Sequence, residues 1–439
     1  MKNGKSTPAS FIDNGSILFE LVKARNSMPV YLEYDSITGK HRFLESVTFN
    51  EITYAPPQTA LVANGTIKLP TEPREYGEPL TLFEDIRHFI YKYVDVTDRF
   101  LTISALYVML SWVYDCFDVI PYLRLKGEFG TGKSRFLIVV GSICYKACFA
   151  GGATTVSPIF RIIEMFKGVT LIFDEADFRF SGADQEIIKI LNCGYMKGMP
   201  VLRTEGDGNN RTPTSFDVFS PKIIATRRDF EDRALESRCL TQVMAGKPRK
   251  DIPRHLPKTF EQEAEELRNK LLLFRLRNYG KIEVDLSLED YSLDARINQV
   301  ALPILSIIDD EKIRAEVYEH LRELQKSLNN QKSDQDAALI VQSAIELVKT
   351  HKPLTFGGLV SKINEMSGFT NFDKPLISAS KIGRTNKDSL GLITREINGL
   401  NQFTPSIENL NKLTQLGKQY HLKVDDVDLS SLFQWWETA

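Results

Sequence analysis

The chain has 439 residues, with 55 Lys or Arg against 57 Asp or Glu, a formal charge of −2 and 42% hydrophobic residues. That hydrophobic content supports large buried cores and excludes a disordered or fibrous chain; the near-neutral charge excludes a uniformly basic nucleic-acid coat but not a local basic patch. At roughly 150 residues per domain, the length fits about three domains.

The five cysteines, Cys116, Cys144, Cys148, Cys193 and Cys239, are odd in number and sit mostly inside apolar runs. They read as reduced core thiols of a cytoplasmic protein, not as a disulfide framework. Cys144 and Cys148 are four apart on an expected helix, but no second pair or His cluster completes a metal site. The N-terminus lacks an apolar signal region. The longest apolar stretch, Phe100 to Tyr114, is shorter than the ~20 residues a bilayer requires and reads as a buried helix, so no membrane association is expected.

In chain order, residues 11–69 alternate as strands do, with a turn at Ser36 to Gly39. Pro56, Pro57, Pro70, Pro73 and Pro79 punctuate a linker, and apolar helices are expected at about 80–93 and 98–116. From Tyr122 a strand–loop–helix rhythm predicts an α/β sheet. Residues 259–329 turn to amphipathic helices, and a polar break near Asn329 precedes a last module. The expected division is 1–78, 79–258, 259–334 and 335–439.

The strand Tyr122 to Lys126 runs into Gly127, Glu128, Phe129, Gly130, Thr131, Gly132, Lys133 and Ser134, and then into the apolar helix that starts at Arg135. This is GxxxxGK[ST] between a strand and a helix, the context in which it forms a phosphate loop. Glycines let backbone N–H groups wrap a polyphosphate, and the helix N-terminus adds positive partial charge. Lys133 then neutralises the β- and γ-phosphates, and Ser134 ligates Mg2+. Residues 127–135 are the candidate ATP-binding residues.

The apolar strand Gly168 to Phe173 ends in Asp174 and Glu175, about 40 residues on. Parallel strands bring such an end beside the bound nucleotide. Asp174 is expected in the Mg2+ shell and Glu175 as general base toward the attacking water. Asp174-Glu-Ala-Asp177 also spells the signature of DEAD-box helicases, but their other motifs and second α/β domain are missing from the sequence. Two extended arms around Gly206 to Asn210 predict a hairpin, and Lys222 to Thr226 is an apolar strand with a polar tip. Asp232 to Arg238 then leads into a strand from Leu240 to Met244.

This order of phosphate loop, Asp-Glu strand, hairpin, polar-tipped strand and Leu235-Glu-Ser-Arg238 resembles the AAA+ ATPases. Ser237-Arg238-Cys-Leu240 is similar to a stretch of the minichromosome-maintenance helicases. Leu191 to Tyr195 and Ser220 to Ala225 resemble the related or primase-associated helicases of phages, plasmids and other mobile elements. The likeness covers roughly residues 80–310. It implies an AAA+ core with a helical lid, in which Thr226, or the adjacent Arg227, is the sensor of the γ-phosphate. It further implies that Arg238 is an arginine finger reaching a neighbour's site and that Arg296 is a second sensor in the lid. A finger acting in trans implies a ring, expected as a hexamer, with DNA in its pore and a primase or polymerase as a further partner. Arg203 and Arg211 of the hairpin would then face the DNA backbone, helped by Lys197. Plain structural readings stand beside these: a surface salt bridge for Arg238 and an ordinary surface hairpin.

Residues 341–424 hold 11 Lys or Arg against 6 Asp or Glu, a local charge of 11 − 6 = +5. Helix, helix, helix and hairpin in succession predict a winged helix-turn-helix. Lys381, Arg384 and Lys387, at i, i+3 and i+6, form a candidate DNA face of its third helix, with a protein-interaction wing as the alternative. Leu432, Phe433, Trp435 and Trp436 are expected to cap this domain. The leading functional expectation is an ATP-driven DNA helicase or translocase. A replication initiator or helicase loader, and a signalling ATPase switch, are the alternatives.

Overall fold

The computed structural model describes residues 6–24, 28–151, 156–174, 183–205, 212–230, 232–244, 249–368, 375–397, 399–420 and 422. They fall into two compact units, Met1–Gln325 and Lys326–Ala439.

The first unit is built on a five-stranded parallel sheet. In chain order its strands are Tyr122–Lys126, Cys148–Ala150, Leu171–Phe173, Lys222–Thr226 and Cys239–Val243. In space they run fifth, first, fourth, third, second. The registers Ile223↔Leu123, Leu171↔Lys222 and Cys239↔Tyr122 align the carboxyl ends of these strands along one edge. Helices cover the sheet, so the strands are nearly continuous apolar runs. The second strand is only three residues long, and the rhythm of the sequence does not reveal it. Cys148 begins that strand, and the helix expected to carry both Cys144 and Cys148 ends at Gly141.

Helix Asp98–Trp112 is buried on all sides, as its unbroken apolar composition requires. The Thr97 hydroxyl caps it, accepting from the N–H of Phe100 at 3.3 Å. From its middle the Tyr107 hydroxyl accepts the N–H of Lys222 at 2.8 Å and donates to its carbonyl at 2.7 Å. One phenol thus fixes the start of the fourth core strand. At the capped end of this helix, His320 of helix Glu311–Lys349 lies against Phe100.

The N-terminal residues form an antiparallel sheet, Phe11–Asn14, Ile17–Lys23, Pro29–Asp35 and His41–Leu44. This sheet is locked to the core by a buried charge cluster. The Glu20 carboxylate, fully buried, pairs with Lys146 Nζ at 2.9 Å and with Arg275 Nε at 2.8 Å, and it accepts the Tyr145 hydroxyl at 2.9 Å. Arg275 also holds Asp115 with both terminal nitrogens, at 3.0 and 2.7 Å. Burial pulls the Lys146 ammonium down to about 8, against the opposing pull of Glu20. Helix Phe260–Asn278, which carries Arg275 and was expected to open the lid, packs on helices Pro79–Tyr93 and Asp98–Trp112. Its Asn269 accepts the N–H of Thr71 at 2.8 Å, and its Arg268 donates to Leu69 O and Ser142 O. The helix therefore clamps the proline-rich linker onto the core.

The second unit contains helices Phe356–Met366 and Ala379–Thr385, a π-helical turn Asn386–Leu390, the antiparallel pair Thr394–Ile397 and Leu400–Phe403, and helix Ile407–Gln419. Leu354, Leu359, Ile382, Phe403 and Leu410 form its core. The aromatic C-terminal residues expected to cap it lie outside the described residues.

Removing Glu20 leaves Lys146 without its carboxylate in an enclosed site. Glu20→Leu is expected to cost about 3–5 kcal/mol, seen as a lower urea midpoint with an unchanged slope. His320 is 7% exposed, and its Nε2 has no hydrogen-bond partner, so burial holds its pKa down at about 4 against an ordinary 6.5. Protons therefore bind the unfolded chain first. The stabilisation is complete above pH 6.5 and is lost as pH falls toward 4, by up to about 3 kcal/mol. Melting temperatures measured from pH 7 to pH 4 should fall more steeply for the wild type than for His320→Leu.

Candidate functional site

The site grows from the carboxyl end of the first core strand. Residue 127 follows Lys126, and its N–H donates to the carbonyl of Thr226 at 3.1 Å, so the loop leaves the sheet at a fixed angle. A Cβ at Gly127 would stand 2.7 Å from the carbonyl oxygen of Met244. Only glycine fits this crossing. At the other end of the loop, Gly132 has φ +95° and caps helix Lys133–Gly141, a left-handed conformation that a side chain strains. The Lys133 ammonium is tucked beneath the loop. It donates to the carbonyls of Gly127 and Glu128, the latter at 2.7 Å, and is 8% exposed. The Thr131 hydroxyl closes the turn onto Glu128 O at 2.8 Å.

Phe129, Gly130, Thr131, Gly132, Lys133, Ser134 and Arg135 line one cavity of about 290 Å3 together with Asp174 and Arg227. Asp174 arrives there because it follows the third core strand, and its N–H donates to Ala150 O at 3.4 Å. The fourth strand lies between the first and the third, so its tip must emerge between the phosphate loop and Asp174. The residue that emerges is Arg227, whose guanidinium stacks on the exposed Phe129 ring at 3.6 Å. Thr226 is 1% exposed and its hydroxyl accepts from Arg124 Nε at 3.0 Å, on the sheet's interior. Of the two expected sensor positions, the cavity takes Arg227.

A second cavity of about 490 Å3 adjoins the first through Thr131, Gly132 and Arg135. Its walls include Val94, Thr97, Gln242, Met244 and Pro253. Thr97 Oγ1 donates to Gln242 Oε1 at 2.7 Å, and Arg135 donates to Pro253 O at 3.2 Å and Arg254 O at 2.6 Å. Residues 94–97 and 252–254 carry no motif that marks them in the sequence. Only the fold brings them to the loop.

The remaining expected residues stand elsewhere. Glu175 and Arg211 lie outside the described residues. Arg238 is 7% exposed: it donates to Asn192 Oδ1 and stacks on Tyr195 at 4.3 Å, while its Nε has no hydrogen-bond partner. It is therefore neither a surface ion pair nor an outstretched finger. Its carbonyl accepts the N–H of Tyr122, the first residue of the phosphate-loop strand. That places it roughly 16 Å from its own phosphate loop, at the opposite edge of the sheet, for five residues at ~3.3 Å each. Arg296 is exposed at the second position of helix Ala295–Leu305 and lines neither cavity.

The hairpin is Val201–Glu205 paired with Thr212–Phe216. Its Arg203 stacks on Phe160 at 4.5 Å and pairs with Glu186 at 3.3 Å, whereas Leu202 is 71% exposed. The hairpin base is held by the buried Lys222 ammonium, which donates to Gly194 O, Val218 O and Ser220 O. In the second unit Arg384 and Lys387 are exposed, and Lys381 pairs with Asp336 at 3.5 Å. Lys387 falls in the π-helical turn, closed by Gly391 N–H to Asn386 O at 2.7 Å. The three cations therefore lack the uniform α-helical spacing expected of them. Among the described residues, no helix is long and apolar enough to cross a membrane, and no cluster of three or more His, Cys, Asp or Glu could hold a metal ion.

No protein-family model matches this chain, and no curated protein matches it. Solved structures resemble it at low identity. The SCCmec type IV Cch active helicase is 10% identical, with 92% of this chain and 80% of that chain covered and a TM-score of 0.40. The apo C-terminal region of NrS-1 is 11% identical, covering 88% and 95% of the two chains, with a TM-score of 0.34. A JCV helicase structure is 13% identical over 56% and 60%, with a TM-score of 0.23.

Gly127→Ala must displace either the loop or Met244. It is expected to cost about 1–3 kcal/mol and to lower the melting temperature, whereas Gly151→Ala, which has open space around its Cβ, should not.

Proposed function

We propose that this protein is an ATP hydrolase of the AAA+ type that drives DNA unwinding or translocation as a homo-oligomeric ring, in replication of a mobile genetic element. The observation that carries the reading is the meeting of Lys133, Ser134, Asp174 and Arg227 in one cavity at the carboxyl edge of a parallel sheet. The phosphate loop offers N–H groups and a helix N-terminus to a polyphosphate. Lys133 and Arg227 supply cations to its terminal oxygens. The adjoining cavity of about 490 Å3, partly apolar and bounded by Val94 and Met244, receives the base and sugar.

The Ser134 hydroxyl and Asp174 carboxylate are oxygen donors of the kind a hard divalent cation takes. These two residues would hold Mg2+, which would supply positive charge against the phosphate oxygens. In this reading Glu175 polarises the attacking water.

The reading as a ring rests on the strand order and on the place of Arg238. At the edge opposite its own phosphate loop, Arg238 serves only a neighbour's nucleotide, after giving up Asn192. The hairpin, pinned by Lys222, is the element presented to DNA, and its exposed Leu202 adds apolar contact to whatever its polar groups provide. A second reading, an initiator or loader that binds duplex DNA through the C-terminal unit, is favoured by one observation. Arg384 and Lys387 are exposed, whereas Arg203 is occupied by Phe160 and Glu186.

ATP turnover, particle mass and unwinding of a forked duplex, each with and without single-stranded DNA, test these readings. Lys133→Ala and Asp174→Asn are each expected to lower kcat by about 100-fold or more. DNA-stimulated turnover in a ring-sized particle supports the motor. Site-specific duplex binding that Arg384→Ala weakens, with no unwinding, supports the initiator. A monomer that neither binds nor hydrolyses ATP overturns both.

A further inference from the structure

The first core strand, Tyr-Leu-Arg-Leu-Lys, carries a guanidinium at its centre. Arg124 is fully buried in a parallel strand, where an aliphatic side chain is the inexpensive choice. Each of its nitrogens has a partner. Nε donates to Thr226 Oγ1 at 3.0 Å, Nη2 donates to Arg228 O at 2.7 Å, and Nη1 donates to the Glu236 carboxylate. Its planar face lies over Phe230 at 4.2 Å. Glu236 is 5% exposed and uses its other oxygen to accept the N–H of Phe230 at 2.6 Å. Two residues along the same strand face, Lys126 pairs with Asp229 at 2.6 Å.

These bonds join two segments of unlike position. One is the tip of the fourth strand, from which Arg227 enters the phosphate cavity. The other is helix Arg233–Glu236, which ends two residues before Arg238 at the opposite edge of the sheet. Arg124 holds both segments, and Glu236 ties them again through the N–H of Phe230. Here the guanidinium's fixed fork sets the backbone on both sides of Arg227 and the carboxylate that starts the approach to Arg238.

We propose that Arg124 is a positioning residue for nucleotide hydrolysis, acting through Thr226, the Arg228 carbonyl and Glu236 to set Arg227 in the cavity and Arg238 at the far edge. The proposal rests on the nucleotide-hydrolase reading above. It touches no substrate atom itself, so its effect belongs in turnover and not in the binding of the ground-state nucleotide.

The test compares the full-length wild type with Arg124→Met, Glu236→Gln and the double variant, by melting temperature and by steady-state hydrolysis of MgATP. Arg124→Met alone strands a buried carboxylate and should lower the melting temperature sharply. The double variant removes that charge and should regain most of the loss. Its kcat should nevertheless stay at least about tenfold below wild type, with KM within about twofold. A double variant that regains both melting temperature and kcat makes the role structural and overturns the proposal alone. A wild type that neither binds nor hydrolyses MgATP overturns the nucleotide reading, and this proposal with it. Where Arg124→Met does not fold, Glu236→Gln decides, because it keeps the side-chain shape and an acceptor for Phe230: a lowered kcat at unchanged KM upholds the proposal, and wild-type kinetics overturn it.

Discussion

Three buried charges and one half-buried carboxylate hold the first unit together. Glu20 and Asp115 face Lys146 and Arg275 in a cluster that is neutral as a whole, and Tyr145 donates into it. Each member comes from a different part of the chain: an N-terminal strand, the turn after a core helix, the turn before the second core strand, and the helix Phe260–Asn278. Glu20 and Arg275 are 255 positions apart. Charges removed from water are tolerated only when every one is matched, so the cluster admits one arrangement of these four elements. The N-terminal sheet is thereby part of the unit that carries the five-stranded sheet. The helix Phe260–Asn278 is a clamp for the same reason, since releasing it would expose Arg275 and strip Glu20 and Asp115 of a partner.

The phosphate loop is a second constrained region, of another kind. Here the constraint is room. Gly127 passes Met244 O too closely for any side chain, Gly132 turns left-handed to start the helix, and the Lys133 ammonium ties the loop's own carbonyls. The loop is thus set in shape by adjacent residues, while the partners that complete its cavity, Asp174 and Arg227, are delivered by the sheet. Strand order does this directly: the fourth strand separates the first from the third, so its tip stands between the loop and the acid.

Much of the candidate site was legible because its parts are local. GxxxxGKS between strand and helix, an apolar run ending in Asp174, and a polar-tipped strand are patterns of neighbouring residues. What escaped has a common cause. The strand Cys148–Ala150 is too short to show a period. Residues 94–97 and 252–254, which wall the second cavity, are ordinary in composition and become a wall only when helix Pro79–Tyr93 and the fifth strand meet the loop. Arg238 looked exposed in a run of charged residues, yet its guanidinium stacks on Tyr195 and donates to Asn192. Lys381, Arg384 and Lys387 looked evenly spaced, and a π-helical turn breaks that spacing.

By itself, then, the sequence determined the chemistry within reach of one turn of backbone: which glycines bend, which lysine follows them, which carboxylate ends a strand. Tertiary structure decided which polar residue faces the cavity and which is spent inside. Thr226 and Arg227 are adjacent, and successive side chains of a strand point to opposite faces. Which face is the interior depends on Arg124, Glu236 and the parallel register, all remote in sequence. Because a buried charge must find its partner wherever the fold places one, no local pattern could have assigned Arg227 to the cavity or Glu20 to Arg275.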